Sequence, residues 1–142
     1  DWWHQLLDGI EEAQNEGINM YGQVPPRATG INMGLTATLN PFLFYPSFYE
    51  LSKKTLEEKV ATMKDPSFKE KLLSEQPIST GNPLVEEITL SFNKMFRLGE
   101  PANYEPDPES SFEAIAKKHK ISPQEVAYHC LLEKEVGIWW KS

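Results

Sequence analysis

Residues 110–132 read SSFEAIAKKHKISPQEVAYHCLL and carry the strongest local structural signals in the chain. Ser110 or Ser111 can cap a helix, and the lysines near its end are favoured by the carbonyl end of the helix dipole. Ser122 can cap a second helix, because proline follows it at the first helical position and glutamate at the third. The apolar residues expected on the inner faces are Phe112, Ile115, Ala116, Val126, Ala127, Cys130 and Leu131. We therefore predict two helices in this part of the chain.

Two shorter helices are predicted upstream, again from the residues that start them. In residues 55–58, Thr-Leu-Glu-Glu, a threonine stands three positions before a glutamate, which is the capping-box pattern. Asp65 is followed by Pro66, a capping acid with proline at the first helical position. We expect these two helices to pack as a pair. Residues 84–96 fit either a helix or a strand, and the sequence leaves this choice open.

The first 24 residues predict a helix that leads into a strand. Residues 3–16 place apolar side chains on one stripe at helical spacing, with acidic residues on the other side. Gly17 is a natural stop for this helix. Residues 18–24 alternate in polarity and suit a short strand that ends at Pro25. This order is typical of the back half of an α/β unit.

Residues 25–48 keep no helical or strand period and predict a long ordered loop. The aromatic residues at its end are Phe42, Phe44, Tyr45, Phe48 and Tyr49. So many aromatics are seldom left in solvent unless they mark a contact surface. Gly30 and Gly34 lack the lysine and serine of a phosphate-binding loop. We expect these two glycines to serve backbone turns.

The composition argues against two classes of partner. The net charge is −7, from 21 acidic residues against 14 lysines and arginines, so no positive field is available to attract nucleic acid or an anionic membrane surface. The apolar runs are far shorter than the roughly 20 residues that span a bilayer. Cys130 is the single cysteine and has no partner for a disulfide within the chain. We predict a soluble, cytoplasmic location with neither nucleic acid nor membrane as partner.

The sequence offers no complete catalytic constellation. The histidines are His4, His119 and His129, and they form neither the HxH nor the HExxH pattern that holds zinc. We expect surface or packed histidines rather than metal ligands, and no cofactor held by this chain. Cys130 follows His129, but neighbours on a helix point about 100° apart. A thiol nucleophile with an adjacent base is therefore disfavoured.

Arg27 and Tyr21 are the candidate substrate-binding residues. Both lie at or just beyond the end of the predicted strand, where α/β folds usually place ligand groups. A guanidinium there can hold a carboxylate through two hydrogen bonds. The alternative is an arginine that bridges loop carbonyls or pairs with a nearby acid.

Several stretches, taken in order, resemble the middle of amidohydrolase-family proteins identified as N-acyl-D-amino-acid deacylases or D-aminoacylases. They are QVPPRATG at 23–30, Pro41-Phe42 with Pro46, LEEKV at 56–60, Asp65-Pro66, LGEPANYEP at 98–106 and SPQEVAY at 122–128. The resemblance covers nearly the whole chain. Its specificity lies in the order of the motifs rather than in any one of them.

The resemblance implies a metal-dependent hydrolase built on a (β/α)8 barrel, which cleaves an amide with one or two divalent metals, usually zinc. The metal ligands and the late catalytic aspartate of that family have no matching positions here. Residues 1–24 would form one helix-strand step of the barrel, residues 25–100 a loop-rich helical insertion near its mouth, and residues 101–142 C-terminal helices. The expected fold class is mainly α with a few short strands, an α+β segment of a larger barrel.

The expected function is therefore that of an internal segment of an amidohydrolase, inactive alone, with the remainder of the barrel as its partner and a homo-oligomer as a further possibility. The abrupt helix at residues 1–16 and the apolar burst at residues 137–140 favour a segment of something longer, although a processed product would look the same. The alternative function is a stand-alone, non-catalytic helical binding or assembly module. Its partner surface would be the aromatic stretch at residues 42–49.

Overall fold

The structure is a computed structural model that describes residues 2–26, 28–133 and 137–141. Within these residues the chain forms seven α-helices and three β-strands. In chain order these are α1 (Trp2–Asn15), β1 (Gly30–Met33), α2 (Pro46–Ser52), α3 (Leu56–Met63), α4 (Pro66–Ser74), α5 (Pro83–Leu90), β2 (Met95–Leu98), α6 (Phe112–His119), α7 (Pro123–Leu132) and β3 (Gly137–Lys141). Two single 3-10 turns span Phe92–Lys94 and Pro108–Ser110. The predicted α+β class, mainly helical, is confirmed.

The three strands form one antiparallel sheet in the order β1-β3-β2. The last strand along the chain is therefore the central one. Trp140 of β3 lies opposite Ile31 of β1 and Met95 of β2 on the face that meets the helices. Trp139 lies opposite Asn32 and Phe96 on the other face, where the ring of Tyr104 packs edge-on against it at 5.1 Å between centroids. Residues from three distant parts of the sequence thus build both faces of the sheet.

One apolar core joins the sheet to helices α2–α7. Its fully buried side chains include Phe42, Phe48, Met63, Leu72, Met95, Phe112, Tyr128 and Ile138. Tyr128 lies near the centre, where its ring contacts Phe42 edge-on and its hydroxyl donates a 2.6 Å hydrogen bond to the Met63 carbonyl. This bond ties α7 to the end of α3, so two helices 65 positions apart in sequence share one polar contact inside the core.

The helix starts that the sequence predicted are confirmed by their capping contacts. Thr55 and Glu58 form a reciprocal capping box, and the Asp65 carboxylate accepts from the Ser67 amide. Ser111, rather than Ser110, caps α6, because its hydroxyl accepts from the Ala114 amide at 3.3 Å. Ser122 caps α7 in the same way.

Three expectations for the middle of the chain were wrong or incomplete. The long loop over residues 25–48 contains strand β1, because β3 supplies hydrogen-bond partners that local pattern does not reveal. Gly30 lies in strand β1 and not in a turn. Gly34 does lie in a turn, directly after β1, where its carbonyl accepts a hydrogen bond from the Ala37 amide. Residues 84–96, which fit either a helix or a strand, form both: helix α5 comes first, and the start of strand β2 follows.

The predicted helix over residues 3–16 is confirmed as α1, but the predicted strand over residues 18–24 is not formed. Among the residues that the structure describes, no neighbouring strand pairs with the backbone of residues 18–24, and an unpaired strand has little stability in water. The contacts here are local. The Gln14 side chain donates a 2.7 Å bond to the Met20 carbonyl, and Gly22 lies so close to Ile10 that a Cβ there would be 2.9 Å from its Cδ1.

Candidate functional site

The two predicted substrate-binding residues are not brought into a site by the described structure. Tyr21 is 77% exposed in the irregular segment after α1. Arg27 lies outside the described residues. The strand end that motivated both predictions is absent, because residues 18–24 have no strand partner. Their role in binding a carboxylate stays a prediction.

An apolar surface at the start of the chain is the most conspicuous functional candidate. No residue of α1 is buried, although its sequence carries a clear apolar stripe. We define the N-terminal apolar surface as the exposed large hydrophobic residues of the first 24 positions: Trp2, Trp3, Leu6, Leu7, Ile18, Met20, Tyr21 and Val24. The four helical members are between 51% and 82% exposed. Large exposed apolar surfaces usually mark contacts with other protein.

The acidic residues of α1 limit this surface to one side of the helix. Asp8, Glu11 and Glu12 fall between the apolar positions of the stripe in sequence and on the opposite side at 100° per residue. A helix with one apolar and one charged side is typical of a surface helix that lies on a protein core. The core formed by the sheet and the later helices does not bury it.

A second candidate is a groove between α3, the residues that follow β1, and the end of α7. We call it the α3–α7 groove, and its volume is about 700 Å³. Its apolar lining includes Met33, Leu35, Leu56, Val60, Leu131 and Leu132. Lys64 and Glu133 contribute the charged groups of its lining. The sequence did not predict this groove, because its lining comes from three separate parts of the chain. Leu56 is exposed and Val60 is partly exposed.

A cluster of three titratable side chains joins α4 to α7. The Lys69 ammonium lies 2.6 Å from the Glu125 carboxylate and 3.1 Å from Nε2 of His129. The hydrogen bond from Lys69 lowers the pKa of the Glu125 carboxyl below its usual value, and His129 contributes in the same direction. Nε2 of His129 and the Glu125 carboxylate are themselves 3.6 Å apart, so the three groups are in mutual contact, and the pairing of Lys69 with Glu125 joins α4 to α7.

The donor set of the described residues does not fit the zinc that the family resemblance implies. In the part of the chain that the structure describes, no three His, Cys, Asp or Glu side chains are grouped so that they could hold a metal ion. Glu125 and His129 come closest, one helical turn apart, but the Lys69 cation contacts both. A nearby positive charge disfavours a divalent metal at such a pair.

Cys130 and the aromatic stretch belong to the core. Cys130 is 2% exposed, and burial raises the pKa of its thiol to about 12, which is the opposite of an activated nucleophile. Phe42, Tyr45 and Phe48 are each 2% exposed or less. A partner surface over residues 42–49 was therefore wrong for these three rings. Of the five aromatic residues in this stretch, Phe44 is partly exposed and Tyr49 is exposed.

Comparison of the chain with protein-family models, with curated proteins and with solved structures found no match in any of the three. The described residues contain no helix of the length and apolarity that crossing a membrane requires.

Proposed function

We propose that this chain is an internal, non-ligating segment of an amidohydrolase resembling the N-acyl-D-amino-acid deacylases, and that it does not hydrolyse amides alone. The observation that supports the proposal is the N-terminal apolar surface. It is a formed helix whose apolar side has nothing to lie on within the described fold. In a (β/α)8 barrel, each outer helix packs its apolar side on the barrel strands.

The free energy available at this surface is large enough to matter. Burial of one large apolar side chain stabilises a protein by roughly 1.5–3 kcal/mol. Trp3, Leu6 and Leu7, which share one side of α1, would therefore gain several kcal/mol from a covering strand or helix. We propose that the remainder of the parent barrel provides this cover, and that residues 18–24 become a strand only when a neighbouring barrel strand pairs with them.

The rest of the chain has the properties of an insertion that packs on itself. Helices α2–α7 and the antiparallel sheet share one core, and none of them needs α1 for burial. Insertions after barrel strands commonly shape a substrate pocket or cover it. We propose that residues 25–100 occupy such a position at the barrel mouth in a cytoplasmic parent enzyme, followed by residues 101–142 as its C-terminal part, and that zinc is bound by the parent's own ligands.

The first test is to sequence the DNA that flanks this coding segment. The proposal expects an open reading frame that continues upstream into an HxH strand and downstream into a strand with an aspartate. Start and stop codons that bracket the segment would exclude it.

The second test measures hydrolysis by the isolated chain. Purified protein with added zinc is incubated with N-acetyl-D-amino acids, and the release of free amino acid is followed. We expect no release above a protein-free control, because the described residues offer no metal ligand set. Zinc-dependent release that survives further purification would overturn the proposal.

A third test addresses Arg27 in the full-length enzyme, whose sequence the flanking DNA would supply. Arg27→Ala should reduce kcat/KM by about tenfold or more, because a lost charge-assisted hydrogen bond costs roughly 1.5–3 kcal/mol. Arg27→Lys should restore part of the loss if the charge is what binds the substrate. Unchanged efficiency in Arg27→Ala would remove this residue from the site.

The alternative function, a stand-alone helical assembly module, is favoured by the same N-terminal apolar surface. In that case the cover would be a second copy of the chain. Light scattering measures the oligomeric state of the wild-type chain and of Leu6→Glu. Together with the flanking DNA sequence, it distinguishes the amidohydrolase segment from the assembly module. A stable dimer that Leu6→Glu dissociates, from a gene with its own start and stop codons, would favour the assembly module.

A further inference from the structure

The α3–α7 groove lies apart from the N-terminal apolar surface and plays no part in the function proposed above. We propose that it binds a single-chain amphiphile, a linear alkyl chain that ends in a carboxylate. The inference does not depend on hydrolysis or on the parent barrel, because the groove is built wholly from elements of the self-packed core.

The walls of the groove suit an alkyl chain. Leu56 and Val60 lie one helical turn apart on α3 and provide one side, while Leu131 and Leu132 at the end of α7 belong to the lining contributed by that helix. The volume of about 700 Å³ falls within the roughly 300–1,000 Å³ of small-molecule sites. A groove of this size has room for a linear alkyl chain.

Leu56 gives the groove an apolar wall that is open to solvent. Its side chain is 47% exposed, although it stands at the first position of a helix with a complete capping box. An apolar ligand would remove its surface from water at no cost in helix structure.

The charges around the groove favour an anionic head group. Glu133 is neutralised by Arg97, whose Nη1 lies 2.9 Å from its Oε1. Lys59 reaches the wall of the groove, where its ammonium donates a 3.1 Å hydrogen bond to the Leu35 carbonyl. Lys64 lines the groove at the end of α3, is exposed, and has no ion pair among the described residues.

Two lysines, Lys59 and Lys64, therefore lie at the groove, and Glu133, the acid of its lining, is paired with Arg97. Lys64 is the cation that is available to a ligand, because Lys59 is already held by a carbonyl. A carboxylate next to Lys64 would form a charge-assisted hydrogen bond. An ammonium head group would be repelled from the same position.

The test compares three probes with the same 12-carbon chain, dodecanoate, dodecanol and dodecyltrimethylammonium, each below its micelle concentration. Isothermal titration calorimetry on the 142-residue chain should show one dodecanoate per chain. Dodecanol should bind about tenfold more weakly, since it lacks the charge-assisted bond, and the cationic probe should give no saturable binding.

Variants assign the site. Lys64→Gln should bind dodecanoate no better than dodecanol, while the matched control Lys71→Gln, an exposed lysine on α4 outside the groove, should bind like wild type. Val60→Glu should abolish dodecanoate binding by blocking the chain and repelling the head group. Circular dichroism checks whether Val60→Glu folds. If it does not, Lys64→Gln still tests the proposal, because Lys64 is exposed and its substitution should leave the fold intact.

Three outcomes would overturn the proposal. Equal dodecanoate affinity in wild type and Lys64→Gln would remove the head-group site. Loss of binding in Leu6→Glu, with Lys64→Gln unaffected, would place the chain on the N-terminal apolar surface instead. A dimer that Val60→Glu dissociates would show that a second copy, and not a small amphiphile, occupies the groove.

Discussion

The indole ring of Trp139 occupies the space that a side chain at Gly30 would need. A Cβ built on Gly30 would overlap Cζ2 and Cη2 of that ring and would lie 2.6 Å from the Trp140 carbonyl oxygen. Trp139 is 8% exposed and cannot swing away freely, because Tyr104 packs against its ring. The central strand β3 can therefore pack this closely against β1 only because residue 30 is a glycine.

Gly30→Ala should therefore weaken the sheet. Overpacking of this kind costs roughly 1–3 kcal/mol, so we expect the free energy of unfolding to fall by about that amount in urea titrations. The control is Gly34→Ala, where no atom lies within 4 Å of the new Cβ, and it should change the stability by less than about 0.5 kcal/mol. Equal stability of the two variants would show that Trp139 moves aside.

Tyr128→Phe should destabilise the core through its lost hydrogen bond. The Met63 carbonyl would stay buried without the 2.6 Å donor that it has now, and a buried unsatisfied group costs roughly 1–3 kcal/mol. Tyr49→Phe, on a ring that is 58% exposed, is the matched control and should be close to neutral. The measurement is the free energy of unfolding at pH 7.

The same tyrosine predicts a loss of stability in alkali. Burial raises the pKa of Tyr128 from 10.0 to about 12, so between these values the folded chain retains a proton that the unfolded chain releases. The stabilisation is fully present below pH 10 and falls as the pH rises towards 12. Unfolding free energies measured across that range should fall less steeply in Tyr128→Phe. An identical slope in both proteins would contradict this assignment.

Cys130 should resist alkylation in the folded chain. Its thiol is buried and its pKa is raised to about 12 by that burial, so the reactive thiolate is scarce at pH 8. We expect iodoacetamide to modify it many times more slowly than it modifies the urea-unfolded chain, as followed by mass spectrometry. Rapid alkylation of the folded protein would instead support a thiol enzyme.

Two leucines should differ sharply in their contribution to stability. Leu72 is fully buried, and Leu72→Ala should cost roughly 2–5 kcal/mol, the range for deletion of a core leucine. Leu6 is 61% exposed, so Leu6→Ala should change the unfolding of the core by less than about 0.5 kcal/mol. Both are measured by urea denaturation at a protein concentration where the chain is monomeric. A large effect of Leu6→Ala would mean that α1 is covered in solution.

Local sequence was sufficient for the helices that start with their own caps. Thr55, Asp65, Ser111 and Ser122 each accept a hydrogen bond from an amide two or three positions further along the chain. Such contacts depend on residues that are close in sequence, so a single chain reveals them. The exposed position of Tyr21 could not be predicted in this way, because a strand depends on a partner that the sequence does not name.

By itself, then, the sequence determined the starts of α3, α4, α6 and α7, the apolar stripe of α1 and the absence of paired histidine motifs. Tertiary structure alone decided that β3 pairs with β1 and β2, that the aromatics at positions 42, 45 and 48 form the core, and that α1 remains uncovered. The physical reason is the distance along the sequence between the residues that make each kind of contact. Capping bonds close within one helical turn, whereas strand pairing and burial are settled by residues that lie dozens of positions apart and compete for the same apolar surface.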